Sequence, residues 1–158
     1  MDIQGQLFVL LDVFIAAILG GIVGFEREWQ KKPAGLRTNM IIAAASAFFI
    51  NLGRFVVVDF QGLIPVEDFF GADPIRIVYA TILGVSVLGA GTILKTADGT
   101  DIKYLTTSAT ILMASAIGMS VALKQYVLAA GATLLILVIN RLFSYIGNAI
   151  AKKREEAE

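Results

Sequence analysis

The sequence predicts an all-α membrane protein, a bundle of five transmembrane helices with the N-terminus outside and the C-terminus in the cytoplasm. Hydrophobic residues make up 57% of the 158 residues, above the roughly 45–50% of soluble domains. They form five long blocks without the two-residue alternation of a membrane barrel, which favours helices. Basic residues gather on alternate connections between these blocks, and this asymmetry predicts the orientation.

The five blocks predict the helices in chain order, because each meets or approaches the about 17–25 residues that a membrane span requires. The second block is the shortest and reaches that length by continuing past Arg54 to Val58. We interpret residues 1–158 as one membrane domain, with residues 151–158 as a charged cytoplasmic tail. The predicted helices cover about residues 7–25, 36–58, 75–94, 105–123 and 126–150.

The orientation follows from the distribution of lysine and arginine. With five helices, one side of the membrane receives nine of these residues and the other receives three, leaving out Arg141 inside the fifth helix. Positive residues concentrate on cytoplasmic loops, so the nine mark the cytoplasmic side. They are Arg27, Lys31, Lys32, Arg37, Lys95, Lys103, Lys152, Lys153 and Arg154, against Arg54, Arg76 and Lys124.

The composition removes several classes of function. The chain has no cysteine and no histidine, which excludes disulfides, thiolate or imidazole metal sites and catalysis by a nucleophile–histidine pair. The formal net charge is zero and gives no reason to expect a nucleic-acid partner. The sequence therefore predicts neither an enzyme nor a bound cofactor, with magnesium as the ion that its carboxylates would suit.

Small residues recur at short helical spacing in three of the predicted helices. Such spacing lets helix backbones approach closely, although glycine is also common in membrane helices in general. A homodimer through one of these faces is an alternative to internal packing that the sequence leaves open. The sets are Ala16, Gly20 and Gly24 in the first helix, Ala80, Gly84, Gly89 and Gly91 in the third, and Thr110, Ala114 and Gly118 in the fourth.

The stretch FEREWQKKPAGLRTN, residues 25–39, joins the first two helices on the cytoplasmic side. The first helix is expected to continue toward Pro33, because proline disfavours helix in the residue before it. Arg37 and Thr38 then fall in the first turn of the second helix, where the helix dipole disfavours a positive charge. We therefore expect Arg37 to meet Glu26, Glu28 or a bound anion, the alternative being an arginine that extends to the lipid headgroups.

These residues carry a resemblance to a known family. GGIVGFEREWQKKPAGLRTN resembles the signature of the MgtC/SapB family of bacterial membrane proteins, in which small residues precede Glu-Arg-Glu and then Ala-Gly-Leu-Arg-Thr. Further matches follow in the family's order, from about residue 10 to about residue 140. The matching positions are Glu26, Arg27, Glu28, Gly35, Arg37 and Thr38, then Asp73 and Arg76 in DPIRI, Gly89 and Gly91 in LGAG, and Thr106 and Thr107 in LTTSA.

The resemblance implies a function that composition does not. Family members are associated with growth under magnesium limitation and, in pathogens, with survival inside macrophages. MgtC-type members are linked to inhibition of the membrane ATP synthase, and magnesium transport is suggested by name and genetic context. MgtC-type members carry a soluble C-terminal domain, whereas this chain ends in a short charged tail and is more similar to the short SapB-like members. The resemblance also implies the bacterial cytoplasmic (inner) membrane as the location.

Asp12 is a carboxylate inside the first predicted helix. It lies about five residues from the helix start, roughly 8 Å below the outer boundary at 1.5 Å per residue, where an unpaired charge is costly. Arg54 and Arg76 both lie within a turn or two of that boundary. We expect Asp12 to pair with one of them, the alternative being a carboxylate that extends to the outer headgroups.

A second polar cluster is predicted at the cytoplasmic end. Arg141 lies roughly 22 Å below the outer end of the fifth helix, which brings it toward Glu26 and Glu28. Helix N-termini favour anions, and carboxylates with water suit magnesium, so the cluster either binds an ion or satisfies itself. Its other members are Arg37, Thr106 and Thr107, and the candidate metal ligands of the whole chain are Asp12, Glu26 and Glu28.

Two functions from different classes fit these observations. The favoured one, mainly from the resemblance, is a regulatory or interaction protein that acts on membrane partners. The alternative is a transporter or channel for magnesium or another ion, which needs a water-accessible cavity joining Asp12 to Glu26. Mid-membrane polar residues are sparse, and Thr81, Ser86, Thr110 and Ser115 are weak ligands.

Overall fold

The structure is a computed structural model that describes residues 2–61, 75–95 and 102–155, with the backbone alone for residues 59–61, 94–95 and 143–155. The described residues form five helices, as predicted, and a short antiparallel pair of strands. The helices are α1 (Ile3–Trp29), α2 (Leu36–Gln61), α3 (Ile75–Thr92), α4 (Leu105–Ala122) and α5 (Tyr126–Glu155), and the strands are β1 (Leu94–Lys95) and β2 (Ile102–Lys103).

Four of these helices, α1 to α4, are long and apolar enough to cross a membrane, by length and composition. In α5 the apolar segment with described side chains, Tyr126–Leu142, is shorter. Helix α1 begins before its apolar block, because the side chain of Asp2 accepts a hydrogen bond of 2.7 Å from the backbone N–H of Ile3 and caps the helix. Helix α3 ends at Thr92, two residues before the predicted end, and the chain enters β1 instead.

The core lies where α1, α2 and α4 meet, and small residues hold these helices close together. A Cβ added at Gly20 of α1 would lie 2.5 Å from the backbone oxygen of Asn39 on α2. A Cβ at Gly118 of α4 would overlap the backbone oxygen of Ala43 on α2. The packing role predicted for the small residues of the first helix is therefore confirmed, and α4 uses the same device. In α3 the pattern differs, because Gly84 and Gly91 face open space.

Two helices end in the same way, with a lysine where glycine is the usual residue. At the end of α1, Lys31 adopts a left-handed φ of 55°, and the N–H groups of Lys31 and Lys32 donate to the backbone oxygens of Glu28 and Arg27. At the end of α4, Lys124 has φ 63° and forms the same pattern. These are Schellman caps, which satisfy the last carbonyls of each helix. Helix α1 therefore stops at Trp29, short of Pro33.

Candidate functional site

Polar side chains of the described residues form two clusters around buried groups at opposite ends of the three-helix core. We call them the Asp12 cluster (Asp12, Asn51, Lys124 and Tyr126) and the Arg27 cluster (Glu26, Arg27, Asn39, Thr107 and Asn140). Asp12 and Glu26 lie on the same helix, fourteen residues and therefore roughly 21 Å apart. The two clusters are distinct sites.

The carboxylate of Asp12 accepts hydrogen bonds from three side chains. It is 1% exposed, and Lys124 Nζ lies 2.6 Å from its Oδ2 as an ion pair. Tyr126 donates its hydroxyl at 3.0 Å to Oδ1, and Asn51 Nδ2 donates at 3.3 Å to Oδ2. A buried carboxylate is tolerated when it is paired and hydrogen-bonded in this way.

The predicted partner of Asp12 was wrong. Arg54 borders the same 260 Å³ cavity as Asp12, but its Nη1 donates to the backbone oxygen of Ala122 at 3.2 Å. Arg76 lies on α3 and lines a different groove, between α2 and α3. The cap of α4 explains the difference, because the left-handed conformation of Lys124 turns the chain so that its ammonium group reaches α1.

In the Arg27 cluster a guanidinium group joins three parts of the chain. Arg27 is 1% exposed, and its Nη2 donates to the hydroxyl of Thr107 in the first turn of α4 and to the backbone oxygen of Pro33 at 3.3 Å. Its Nε and Nη1 have no hydrogen-bond partner among the described residues. Arg27 thereby fixes the end of α1 against the turn that follows it and against α4.

Glu26 connects α1 to α5. Its carboxylate accepts hydrogen bonds from Gln30 Nε2, one turn later, and from Asn140 Nδ2 at 3.3 Å. Both Glu26 and Asn140 are buried. The sequence predicted that Arg141 would approach Glu26, but its neighbour Asn140 makes the contact, while Arg141 is exposed and without an ion pair among the described residues.

The two halves of the signature stretch meet, although not through Arg37. Glu28 Oε2 accepts a hydrogen bond of 2.9 Å from the backbone N–H of Leu36, the first residue of α2. Because the first N–H groups of a helix lack partners within it, this carboxylate caps α2 and complements its dipole. Gly35 allows the approach, since a Cβ there would lie 2.8 Å from Glu28 Oε2.

Asn39 fixes the same turn from inside α2. It is fully buried, and its Nδ2 donates to the backbone oxygens of Ala34 at 2.6 Å and Gly35 at 3.0 Å. A Cβ at Gly24 of α1 would lie 2.7 Å from the same oxygen of Gly35. The turn is therefore packed directly against α1.

The structure separates several other predicted site residues from these clusters. Arg37, Thr38 and Thr106 are exposed, and the expectation that Arg37 meets Glu26 or Glu28 was wrong. Within the described residues Arg37 has no hydrogen bond or ion pair. Gly89 packs against Ser108 of α4, and Gly91 has open space around it. Asp73 lies outside the described residues.

Sequence reasoning missed the amides and the lysine that complete the clusters. Asn39, Asn51 and Asn140 each stand inside an apolar block, and an amide in such a block is a signal for a buried partner. The partners predicted from charge were arginines and not these neutral donors. Lys124 was counted only as one of the three basic residues on the outer side of the membrane.

The candidate metal ligands do not converge. Asp12 lies roughly 21 Å from Glu26, and Glu28 is engaged with the start of α2. Among the described residues, no group of three or more Asp, Glu, His or Cys side chains is arranged to hold a metal ion.

Midway between the clusters, Ser46 and Ser115 share a buried hydrogen bond of 2.7 Å that joins α2 to α4.

Comparison with known proteins identifies the relatives of this chain. Residues 13–149 match the model of the MgtC family. Protein MgtC of Salmonella choleraesuis (strain SC-B67) is 32% identical over 149 residues, which cover 94% of this chain and 58% of the relative. The putative magnesium transporter YhiD of Escherichia coli (strain K12) is 34% identical over 134 residues, 85% of this chain and 60% of the relative.

Protein MgtC of Brucella abortus (strain 2308) is 33% identical over 127 residues, which cover 80% of this chain and 48% of the relative. The chain thus spans about half to three fifths of the length of these curated relatives. No solved structure matches the chain.

Proposed function

Because the chain belongs to the MgtC family of membrane proteins, we propose that it supports adaptation to low magnesium or envelope stress through contacts with membrane partners. In this proposal it crosses the bacterial cytoplasmic membrane several times, with its N-terminus outside and its C-terminus in the cytoplasm. It acts without catalysing a reaction and without a resident cofactor.

The packing between the two polar clusters carries the proposal. A transporter needs a polar, water-accessible path from Asp12 to Glu26. Between these residues the helix backbones approach closely, at Gly20 against Asn39 and at Gly118 against Ala43. Asp12 is already bonded to Lys124, and Glu26 to Asn140. These carboxylates are poor sites for a passing cation, because binding the cation would break these bonds and leave Lys124 and Asn140 without their acceptors.

The partner is expected to be apolar where it contacts the chain. Large hydrophobic side chains are exposed along the outward faces of α1 and α5, for example Phe14 and Leu135. In a membrane such faces contact lipid or another transmembrane protein. A second copy of the chain and the membrane ATP synthase, which the family resemblance suggests, are the two partners to test first.

The test separates contact from transport. The full chain is reconstituted into vesicles that contain a magnesium indicator, and the same gene is used to restore growth of a deletion strain at low magnesium. We expect restored growth without magnesium-dependent flux. A photo-crosslinking amino acid at Phe14 and at Leu135 should then capture the ATP synthase or a second copy in cells that need the protein. Restored growth with neither partner captured from either face would count against the contact mechanism.

Ion transport is the second candidate, favoured by one relative's printed name, putative magnesium transporter, and by carboxylates in both clusters. It predicts magnesium flux in vesicles that falls strongly with Asp12→Asn and with Glu26→Gln, while Arg37→Gln has no effect. Such flux, with this pattern of effects, would favour ion transport over contact with membrane partners as the function of the chain.

A further inference from the structure

A groove of about 650 Å³ lies between α2 and α3, apart from both polar clusters. From α2 it is lined by residues between Ile41 and Phe49, and from α3 by residues between Arg76 and Leu88. On each helix the lining positions recur at intervals of three to four residues, so that one continuous face of each helix borders the groove.

The groove exists because α2 and α3 touch near one end and part along the rest of their length. A Cβ at Gly53 of α2 would lie 2.6 Å from the side chain of Ile77, which marks the close end. Farther along, Gly84 of α3 lines the groove and has no atom within 4 Å of where its Cβ would be. Ile42 and Val85, which line the groove, also pack against the cluster that contains Ile111 and Ala114 of α4.

The length of the groove suits a hydrocarbon chain. Arg76 and Leu88 are twelve residues apart, so the groove runs roughly 18 Å along α3, close to the roughly 15 Å depth of one leaflet's hydrocarbon. An acyl chain of a phospholipid spans the same depth, so the length of the groove matches one such chain.

The chemistry of the groove is apolar with one charge at its end. The hydroxyl groups of Ser46 and Thr81 are already bonded, to Ser115 and to the backbone oxygen of Ile77. Arg76, in the first turn of α3, is the charged residue among those that line the groove. Within the described part of the chain it is exposed and has no hydrogen bond or ion pair.

A cation at the end of an apolar groove one leaflet deep is complementary to an anionic lipid. Arginine presents several N–H donors in a plane and binds phosphate oxygens in pairs. We propose that this groove binds one anionic phospholipid, with an acyl chain between α2 and α3 and the headgroup phosphate on Arg76. The site is independent of the function proposed above, because neither contact with a partner nor transport requires it.

The experiment measures lipid retention by native mass spectrometry of the purified full chain. The delipidated protein is incubated with phosphatidylglycerol, with phosphatidylcholine of the same acyl chains, or with inorganic phosphate. We expect several-fold higher retention of phosphatidylglycerol than of phosphatidylcholine. Arg76→Gln should abolish this preference, and Gly84→Leu should lower retention of both lipids several-fold by filling the groove.

Two variants serve as matched controls. Arg37→Gln removes another exposed arginine that has no ion pair within the described part of the chain, and Gly131→Leu fills open space beside α5, away from the groove. Both should retain lipid as the wild type does. If Gly84→Leu does not fold, Ala80→Leu on the same face of α3 replaces it. Circular dichroism and gel filtration establish folding in each case.

Three kinds of result would overturn the proposal. The first is equal retention of the two lipids by the wild-type chain, or a preference that survives Arg76→Gln. The second is inorganic phosphate binding at Arg76 as well as the lipid does, which would make this a free-phosphate site. The third is retention unaffected by filling the groove, or a disulfide between Leu88→Cys copies in native membranes, which would show that a second copy occupies it.

Discussion

Arg27 donates a hydrogen bond to the hydroxyl of Thr107, eighty positions later in the chain, and so ties the end of α1 to the first turn of α4. Both residues are buried. The same guanidinium group bonds to Pro33 in the turn before α2. This guanidinium group on α1 therefore contacts both α4 and the turn that leads into α2.

Replacing the acceptor of this bond should destabilise the protein. Thr107→Val keeps the shape of the side chain but leaves a buried guanidinium group with one partner fewer, which costs about 1–3 kcal/mol of unfolding free energy. Thr106→Val is the matched control, because Thr106 is the exposed neighbour and its change should stay within about 0.5 kcal/mol. Unfolding in mixed detergent micelles, followed by circular dichroism, measures both. Equal losses for the two variants would show that the bond to Arg27 does not contribute.

The ion pair of Asp12 should appear as a coupling between Asp12 and Lys124. In a double-mutant cycle of Asp12→Asn and Lys124→Gln we expect an interaction energy of about 1–2 kcal/mol. This value lies in the lower part of the range for buried pairs, because the Lys124 side chain is 45% exposed and water weakens the ion pair. Arg54→Gln replaces Lys124→Gln in the control cycle. A larger coupling of Asp12 to Arg54 than to Lys124 would contradict the observed pairing.

Glu28 should stabilise the start of α2 through its carboxylate oxygen. Glu28→Ala removes the cap on the Leu36 N–H and should cost about 1 kcal/mol of unfolding free energy, whereas Glu28→Gln keeps an acceptor and should cost less. The free energy is measured by the same detergent titration. A loss for Glu28→Gln as large as that for Glu28→Ala would argue against a cap.

Arg37 and Glu26 should act independently. Arg37 is exposed, and Glu26 is bonded to Gln30 and Asn140. The effects of Arg37→Ala and Glu26→Ala on the unfolding free energy should therefore add within about 0.5 kcal/mol. A measured coupling above about 1 kcal/mol would restore the contact that the signature stretch suggested from its sequence.

The same substitution is expected to have opposite effects on stability at two glycines, Gly118, where α4 approaches α2 closely, and Gly131, which has open space around it. Gly118→Ala places a methyl group on the backbone oxygen of Ala43 and should cost about 3 kcal/mol or more, since the backbone there has little room to move. Gly131→Ala places the same group in open space and should be neutral or stabilise α5 by up to about 1 kcal/mol. The melting temperatures of the two purified variants, each compared with that of the wild type, measure these effects. Similar melting temperatures would show that the helices are less tightly packed at Gly118.

The elements of the fold were predictable because their signals are local. The apolar blocks start and stop at polar residues and turns, so the five helices follow from chain order alone. The short strands β1 and β2 were missed, since a pair of two-residue strands carries no periodicity to detect. The start of α1 was placed too late because the cap on Ile3 comes from a single residue, Asp2.

Pairings within the sites were less predictable, and Asp12 shows why. Ranking partners by depth alone favoured Arg54 and Arg76, which carry charge near the expected boundary. The side chain that reaches Asp12 belongs to Lys124, whose left-handed backbone at the end of α4 could not be inferred from a residue that is not glycine. Arg37 is a second example. It lies in the signature stretch and was expected to make a polar contact there, but Arg27 is the arginine that is buried.

By itself the sequence determined the helical architecture, the small residues that allow close packing and the family signature, because each depends on residue type and spacing along one helix. The tertiary structure decided which face of each helix is buried and which polar groups meet. In a membrane helix both the lipid-facing and the core-facing sides are apolar, so the hydrophobic pattern does not fix the rotation of the helix about its axis. That rotation turns Arg27 toward Thr107 and leaves Arg37 exposed, and it follows from contacts between segments far apart in the chain.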